Sequence, residues 1–186
     1  MTATATRTPI TSQSSPLRIN CVPCRNGLIG MTLCPGKQQS DSLSGVWARD
    51  LPTDVSAIHA WGAGLVVTLF EDHEFEMLRV SSLPQVVRAA GMGWIHLPIC
   101  DQEAPDERFF SAWPDVSNRI HNLLEEGGRI LLHCMGGLGR TGTVAAQLLI
   151  EAGEQPGSAI SRVRAARPGA IETQTQEDYV LNLRSS

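Results

Sequence analysis

No run of this 186-residue chain is apolar enough for long enough to cross a bilayer, which takes about 20 residues. The opening Met1-Thr2-Ala3-Thr4-Ala5-Thr6-Arg7 lacks the apolar centre of a signal peptide, so the expected location is cytoplasmic and no membrane partner is expected. Nor is there a basic surplus. The formal net charge is −4 and the cations are almost all scattered Arg, which offers nucleic acid no basic face. Repeats and low-complexity blocks are missing outside a stretch rich in Thr and Ser over residues 1–15, read as a flexible N-terminal tail. A second Cys-x-x-Cys is missing too. Cys21-Val22-Pro23-Cys24 stands alone, a structural zinc wants four ligands, and no metal or cofactor is expected. The five cysteines are an odd number, and a reducing compartment suits them.

What remains describes an ordinary globular chain. Hydrophobic residues make up 42% and charged residues 18%, enough to bury a core in one domain, read as residues 16–186. Period and punctuation predict strands at 17–22 and 28–34 around the turn signal Asn26-Gly27. A helix follows at 53–61, with Thr53 or Asp54 near its cap, then a buried strand at 65–69 and a helix at 82–90. A strand at 94–99, a long helix at 106–126, a strand at 129–134 and helices at 140–152, 156–166 and 174–183 complete the chain. Strands alternating with helices imply an α/β fold whose central sheet is mainly parallel and flanked by helices.

The most specific chemistry lies in Ile130-Leu131-Leu132-His133-Cys134-Met135-Gly136-Gly137-Leu138-Gly139-Arg140-Thr141-Gly142. It reads as a buried strand, a glycine-rich turn and a helix start. A thiol is nucleophilic only as thiolate, and a helix N-terminus with converging N–H groups favours that anion at Cys134. Gly136, Gly137 and Gly139 allow positive φ, so that Met135 through Arg140 can curl their N–H groups into one nest for phosphate oxygens. Arg140 closes the nest, since its planar fork binds two oxygens at once. Thr141 could donate its hydroxyl to the sulfur. A Cys followed six places later by Arg is expected by chance roughly 0.4 times in this composition, so the spacing alone is weak and the context carries it.

His133-Cys134-x5-Arg140-Thr141-Gly142 resembles the signature of the cysteine-dependent protein tyrosine and dual-specificity phosphatases. The interior Gly-Gly-Leu-Gly-Arg, and Ile29-Gly30-Met31-Thr32-Leu33-Cys34-Pro35-Gly36-Lys37, are similar to the cyclin-dependent-kinase-associated phosphatase subgroup. The likeness runs from about Gly27 to Leu183. It implies a protein tyrosine phosphatase-like fold, no metal and a phosphoprotein substrate, with a protein kinase among the candidate partners. It also implies a dual range over phosphotyrosine and phosphoserine or phosphothreonine. His133 resembles the family's His that orders the loop, which a plain structural His would also fit.

Expelling an alkoxide or phenoxide calls for an acid, worth about 10²–10⁴ in rate. Asp101 is the first carboxylate past the strand Trp94-Ile95-His96-Leu97-Pro98-Ile99, where the family's general acid stands. Glu103 and Asp106 are reserves, and Asp106, beside Pro105 and before a long helix, fits a cap better. Near the C-terminus, Pro168-Gly169-Ala170-Ile171-Glu172-Thr173-Gln174-Thr175-Gln176-Glu177-Asp178-Tyr179-Val180 resembles the family segment before the last helix, where a Gln ahead of an aromatic lies by the pocket. Gln176 is that position by the match, with Gln174 behind it, and a helix-start role fits it equally. The expected reaction is phosphomonoester hydrolysis through a cysteinyl-phosphate. Cys134 is the nucleophile, Asp101 the acid, and Arg140 with the loop from Met135 to Thr141 the phosphate holder. The alternatives are an inositol-phosphate or phosphoinositide phosphatase on the same scaffold, and a non-catalytic phosphoprotein-binding module.

Overall fold

A computed structural model describes residues 8–184. β1 (Asn20–Cys24) and β2 (Gly27–Thr32) form an antiparallel hairpin, followed by a smaller hairpin of β3 (Gln38–Ser42) and β4 (Gly45–Ala48). Then come α1 (Leu51–Trp61), β5 (Leu65–Thr68), α2 (Asp72–Met77), α3 (Leu83–Ala89) and β6 (Gly93–His96). α4 (Glu107–Glu125), β7 (Arg129–His133), α5 (Gly139–Glu151), α6 (Pro156–Ala166) and α7 (Gln174–Asn182) follow.

The main sheet has the order β1-β2-β7-β5-β6, and only its edge strand β1 is antiparallel. Pro23 sits in that edge strand, where a missing N–H costs no ladder bond. Alternation along the central strands divides the core. Leu65, Val67, Ile130 and Leu132 pack on the side of α4, α5, α6 and α7, whereas Val66 and Leu131 pack with Val55 and Ile58 of α1 and Leu83 and Val87 of α3. Sheets covered on both faces read as near-continuous apolar runs, and Leu65-Val66-Val67 and Ile130-Leu131-Leu132 do so. Each such side chain contributes about 1.5–3 kcal/mol by leaving water. Among the described residues no helix is long and apolar enough to cross a membrane.

Several expectations shift. α1 begins two residues early, because Asp50 caps it by accepting from the Thr53 N–H at 2.9 Å; Thr53 and Asp54 lie inside the helix. β6 ends at His96, so Leu97 to Cys100 form an extended exit rather than strand. α2 and the β3–β4 hairpin carry no periodic apolar signal and were not expected. Residues 1–7 of the expected flexible tail lie outside the described residues. Residues 8–15 are docked: the Ile10 N–H donates to Val46 O (2.7 Å), and Ser12 Oγ accepts from the Asp50 N–H (2.9 Å).

β2, β5, β6 and β7 all run the same way, so their exits gather at one edge, the usual place for a site in an open α/β sheet. Lys37 follows β2, Glu74 follows β5, Asp101 follows β6, and Cys134 to Arg140 follow β7.

Candidate active site

A cavity of about 470 Å³ opens at that edge, lined by Cys134, Met135, Gly136, Leu138 and Arg140 from the β7–α5 loop. Asp101 and Gln102 stand on another wall, with Glu172, Thr173 and Gln176 beside them and Lys37, Ser42 and Ser44 opposite. Gly137, Gly139, Thr141 and His133 do not face the cavity. Their parts lie in building the loop.

Cys134 is almost fully buried, and the Gly137 N–H donates to its sulfur at 3.2 Å. That contact needs Gly137 at φ +71, and a Cβ there would fall 2.0 Å from Thr32 O. Gly136 and Gly139 do not need positive φ. Gly136 has open space around it, and at Gly139 a Cβ would strike Glu172 and Gln176. The Gly139 N–H donates to Glu172 Oε2 at 2.8 Å, so a free donor at the start of α5 is already holding a carboxylate.

Arg140 is the most constrained group. Its Nη1 and Nη2 bind Glu74 Oε2 and Oε1 at 2.6 and 3.0 Å, with both side chains at 2% exposure or less. Nη1 also donates to Ile99 O (3.2 Å), and Nη2 lies 2.9 Å from Asp101 Oδ1. The pair therefore presents the guanidinium to the cavity from a fixed base. Glu74 Oε2 further accepts from the Glu71 N–H at 2.7 Å, closing a capping box that sets the first turn of α2. The sequence reading missed Glu74. Its one local signal is Glu71-x-x-Glu74 after an apolar strand.

Arg167, also missed, braces the loop. Its Nε donates to Gly137 O, Nη2 to Gly136 O at 3.0 Å, and Nη1 to Asn20 Oδ1 at 2.8 Å. Fixing two consecutive carbonyl groups fixes the peptide planes next to Cys134.

His133 is fully buried; its Nε2 shares a hydrogen bond with Thr68 Oγ1 at 2.8 Å, and Thr68 Oγ1 also accepts from Trp94 Nε1 at 2.9 Å. Burial pushes its pKa down to about 3, so the ring is neutral and its Nδ1 has no partner among the described residues. It orders the strand end through Thr68. The expected hydroxyl donation from Thr141 to the sulfur is not present: Thr141 Oγ1 is buried and has no hydrogen-bond partner among the described residues.

Asp101 is about half exposed at the rim of the cavity. Asp106 caps α4, accepting from the Arg108 and Phe109 N–H groups at 3.0 and 3.3 Å, so it serves the helix. Gln176 faces the cavity, yet its Oε1 accepts from the Glu172 and Thr173 N–H groups (3.0 and 3.3 Å) and its Nε2 donates to Glu103 O at 3.4 Å. With Thr173 Oγ1 donating to Gln102 O at 2.9 Å, these bonds tie α7 to the Asp101 loop.

The family model described as Tc-R-P, polymorphic toxin system, DSP-PTPase phosphatase, matches residues 51–154, more than half of the chain. The chain belongs to the dual-specificity phosphatase family. Cyclin-dependent kinase inhibitor 3 of Rattus norvegicus is 30% identical over 182 residues, covering 96% of this chain and 80% of the relative. Its Homo sapiens counterpart is 27% identical, covering 95% and 82%. Among solved structures, kinase associated phosphatase with its catalytic-site cysteine replaced by serine superposes with a TM-score of 0.79 at 25% identity, over 89% of this chain and 93% of that one. Tk-PTP in its active form gives a TM-score of 0.63 at 29% identity, over 82% and 88%. As a member of this family the chain is a phosphatase with the α/β fold of its relatives, and the resemblance read from the loop stands.

Proposed function

We propose that this phosphatase hydrolyses phosphotyrosine, and phosphoserine or phosphothreonine, in protein substrates through a cysteinyl-phosphate. The observation that carries the reading is Cys134 set in one cavity with the clamped fork of Arg140 and a carboxylate, Asp101, at the rim.

Phosphate enters with its equatorial oxygens on the loop N–H groups and Arg140, donors in place before charge builds up on the transferring group. Cys134 Sγ forms a bond to phosphorus as the bond to the ester oxygen breaks, and Asp101 gives that oxygen its proton. Phosphate on Nη2 takes over the place of Asp101 Oδ1 there, freeing the carboxyl group to serve the leaving oxygen. Water then attacks phosphorus, Asp101 accepts its proton, and the S–P bond breaks to release inorganic phosphate and Cys134. No step in this scheme calls on a metal.

The names of the relatives, a cyclin-dependent kinase inhibitor and a kinase associated phosphatase, favour protein substrates and make a protein kinase a candidate partner. The test is a panel of phosphopeptides carrying phosphotyrosine or phosphothreonine, run beside inositol phosphates in EDTA. The reading requires turnover of the peptides. Turnover confined to inositol phosphates would replace the protein substrate with the inositol alternative.

A further inference from the structure

Lys37 is the only lysine of the chain, and at 4% exposure it is nearly buried in the wall of the cavity that holds Cys134 and Arg140. Lysines seldom enter an interior without a partner, because desolvating an ammonium is costly. Among the described residues Lys37 forms no ion pair, and its side chain makes no hydrogen bond; its neighbour is the Trp47 ring, 5.0 Å from Nζ.

Its placement is firmly built. The preceding Gly36 N–H donates to Asp54 Oδ2 at 2.8 Å, and Asp54 is clamped by Arg49 at 2.7 and 2.9 Å, all of it buried. Gly36 has φ +72, and a Cβ there would lie 2.5 Å from Leu51 Cβ. The Arg49 N–H donates to Lys37 O at 3.1 Å, and the β3–β4 hairpin brings Trp47 over the side chain. Burial lowers the pKa of the ammonium, and the nearby Cys34 and Cys134 act in the opposite direction.

A count of charges gives this residue a purpose. A thiolate and a phosphate dianion bring three negative charges to the cavity. Arg140 brings one positive charge, but Glu74 is bound to both prongs of the same guanidinium, so the two sum to zero. The balancing cations must come from elsewhere, and Lys37 is the one that opens to the cavity without a carboxylate of its own.

We propose that the Lys37 ammonium binds the substrate phosphate and supplies the positive charge that Glu74 cancels on Arg140. This rests on the phosphatase reading of the site and makes Lys37 a substrate-binding residue in addition to the loop.

The experiment measures inhibition constants for inorganic phosphate and orthovanadate, and KM for para-nitrophenyl phosphate, in wild type, Lys37→Met, Lys37→Gln and Lys37→Arg. A lost charge-assisted hydrogen bond predicts a rise of roughly tenfold or more in Met and Gln, with Arg restored to within about threefold of wild type. Unchanged constants in a folded Met or Gln variant would overturn the assignment. So would an equal loss in the Arg variant, which marks a packing role.

A second measurement needs no variant. With one lysine, acetylation in wild type can be followed at a single side chain by peptide mass spectrometry. The expected result is slow modification of Lys37 that saturating vanadate blocks. Modification at the same rate with vanadate bound, or none in its absence, would refute the contact. If wild type neither turned over the aryl phosphate nor bound vanadate, the phosphatase reading itself would fall instead.

Discussion

Glu74 holds Arg140 by both prongs of its guanidinium, across 66 residues of sequence and with almost no exposure of either side chain. A buried pair of this kind gives geometry more than net stability, since desolvation offsets much of the attraction. Removing one partner is another matter. Glu74→Ala is expected to cost about 3–5 kcal/mol in stability by removing the buried partner of both prongs and leaving only the half-exposed Asp101 beside the guanidinium, read from urea unfolding. Glu74→Gln keeps the shape and should fold better than the Ala variant, yet turn over more slowly than wild type, because the neutral amide removes the charge from both bonds and leaves one prong without an acceptor. Wild-type turnover in Glu74→Gln would mean that Arg140 needs no such anchor.

Cys134→Ser is expected to abolish hydrolysis of para-nitrophenyl phosphate while leaving the protein folded, as read from an unchanged unfolding curve. The wild-type rate should be the same with and without EDTA. Residual turnover near the wild-type rate would end the covalent scheme.

Asp101→Asn should lower kcat by about 10²–10⁴, more for alkyl than for aryl phosphates, because the poorer leaving group depends more on its proton. Asp106→Asn should leave turnover close to wild type, and Asp106→Ala should cost about 1 kcal/mol in stability through the lost cap. A crippled Asp106→Asn beside a normal Asp101→Asn would reverse the two roles.

Arg167→Ala should reduce kcat/KM by freeing the carbonyl groups of Gly136 and Gly137, and Arg167→Lys should fail to restore it. An ammonium is a point donor and cannot span two carbonyl oxygens and Asn20 together. Full rescue by Lys would show that only charge matters there.

His133 makes stability depend on acid. Burial lowers its pKa from 6.5 to about 3, so the unfolded chain takes up the proton first. Its contribution is fully present above pH 6.5 and is lost as pH falls from there toward 3, with a slope of up to about 1.4 kcal/mol per pH unit. His133→Asn should flatten the curve of unfolding free energy against pH in that window. An unchanged slope would assign the acid sensitivity to other groups.

The strands and helices that bury one face, or two, were legible because periodicity survives in a linear string. Leu65-Val66-Val67 and Ile130-Leu131-Leu132 announce central strands, and Phe109, Trp113, Ile120 and Leu124 recur at helical spacing along α4. The β3–β4 hairpin was illegible for the opposite reason. Gln38-Gln39-Ser40-Asp41-Ser42 carries almost no apolar pattern, and its place comes from the Ile10 pairing and from Trp47 over Lys37. α2 is too short for a period to show, and its capping box is the only mark it leaves.

The candidate phosphate loop was written locally because a nest of consecutive N–H groups can be built only from consecutive residues. Cys134, the glycine that must turn at 137, and Arg140 therefore had to stand together, and the sequence alone determined them. Which partners complete the loop was decided by the sheet, since four parallel strands discharge their following segments at one edge. Lys37, Glu74 and Asp101 are delivered in this way after β2, β5 and β6, whereas Arg167 arrives from the end of α6, and a charge acts through distance in space, whatever the separation along the chain. That is why the clamp on Arg140, the brace behind the loop and the lone ammonium in its wall emerged only once the chain was folded.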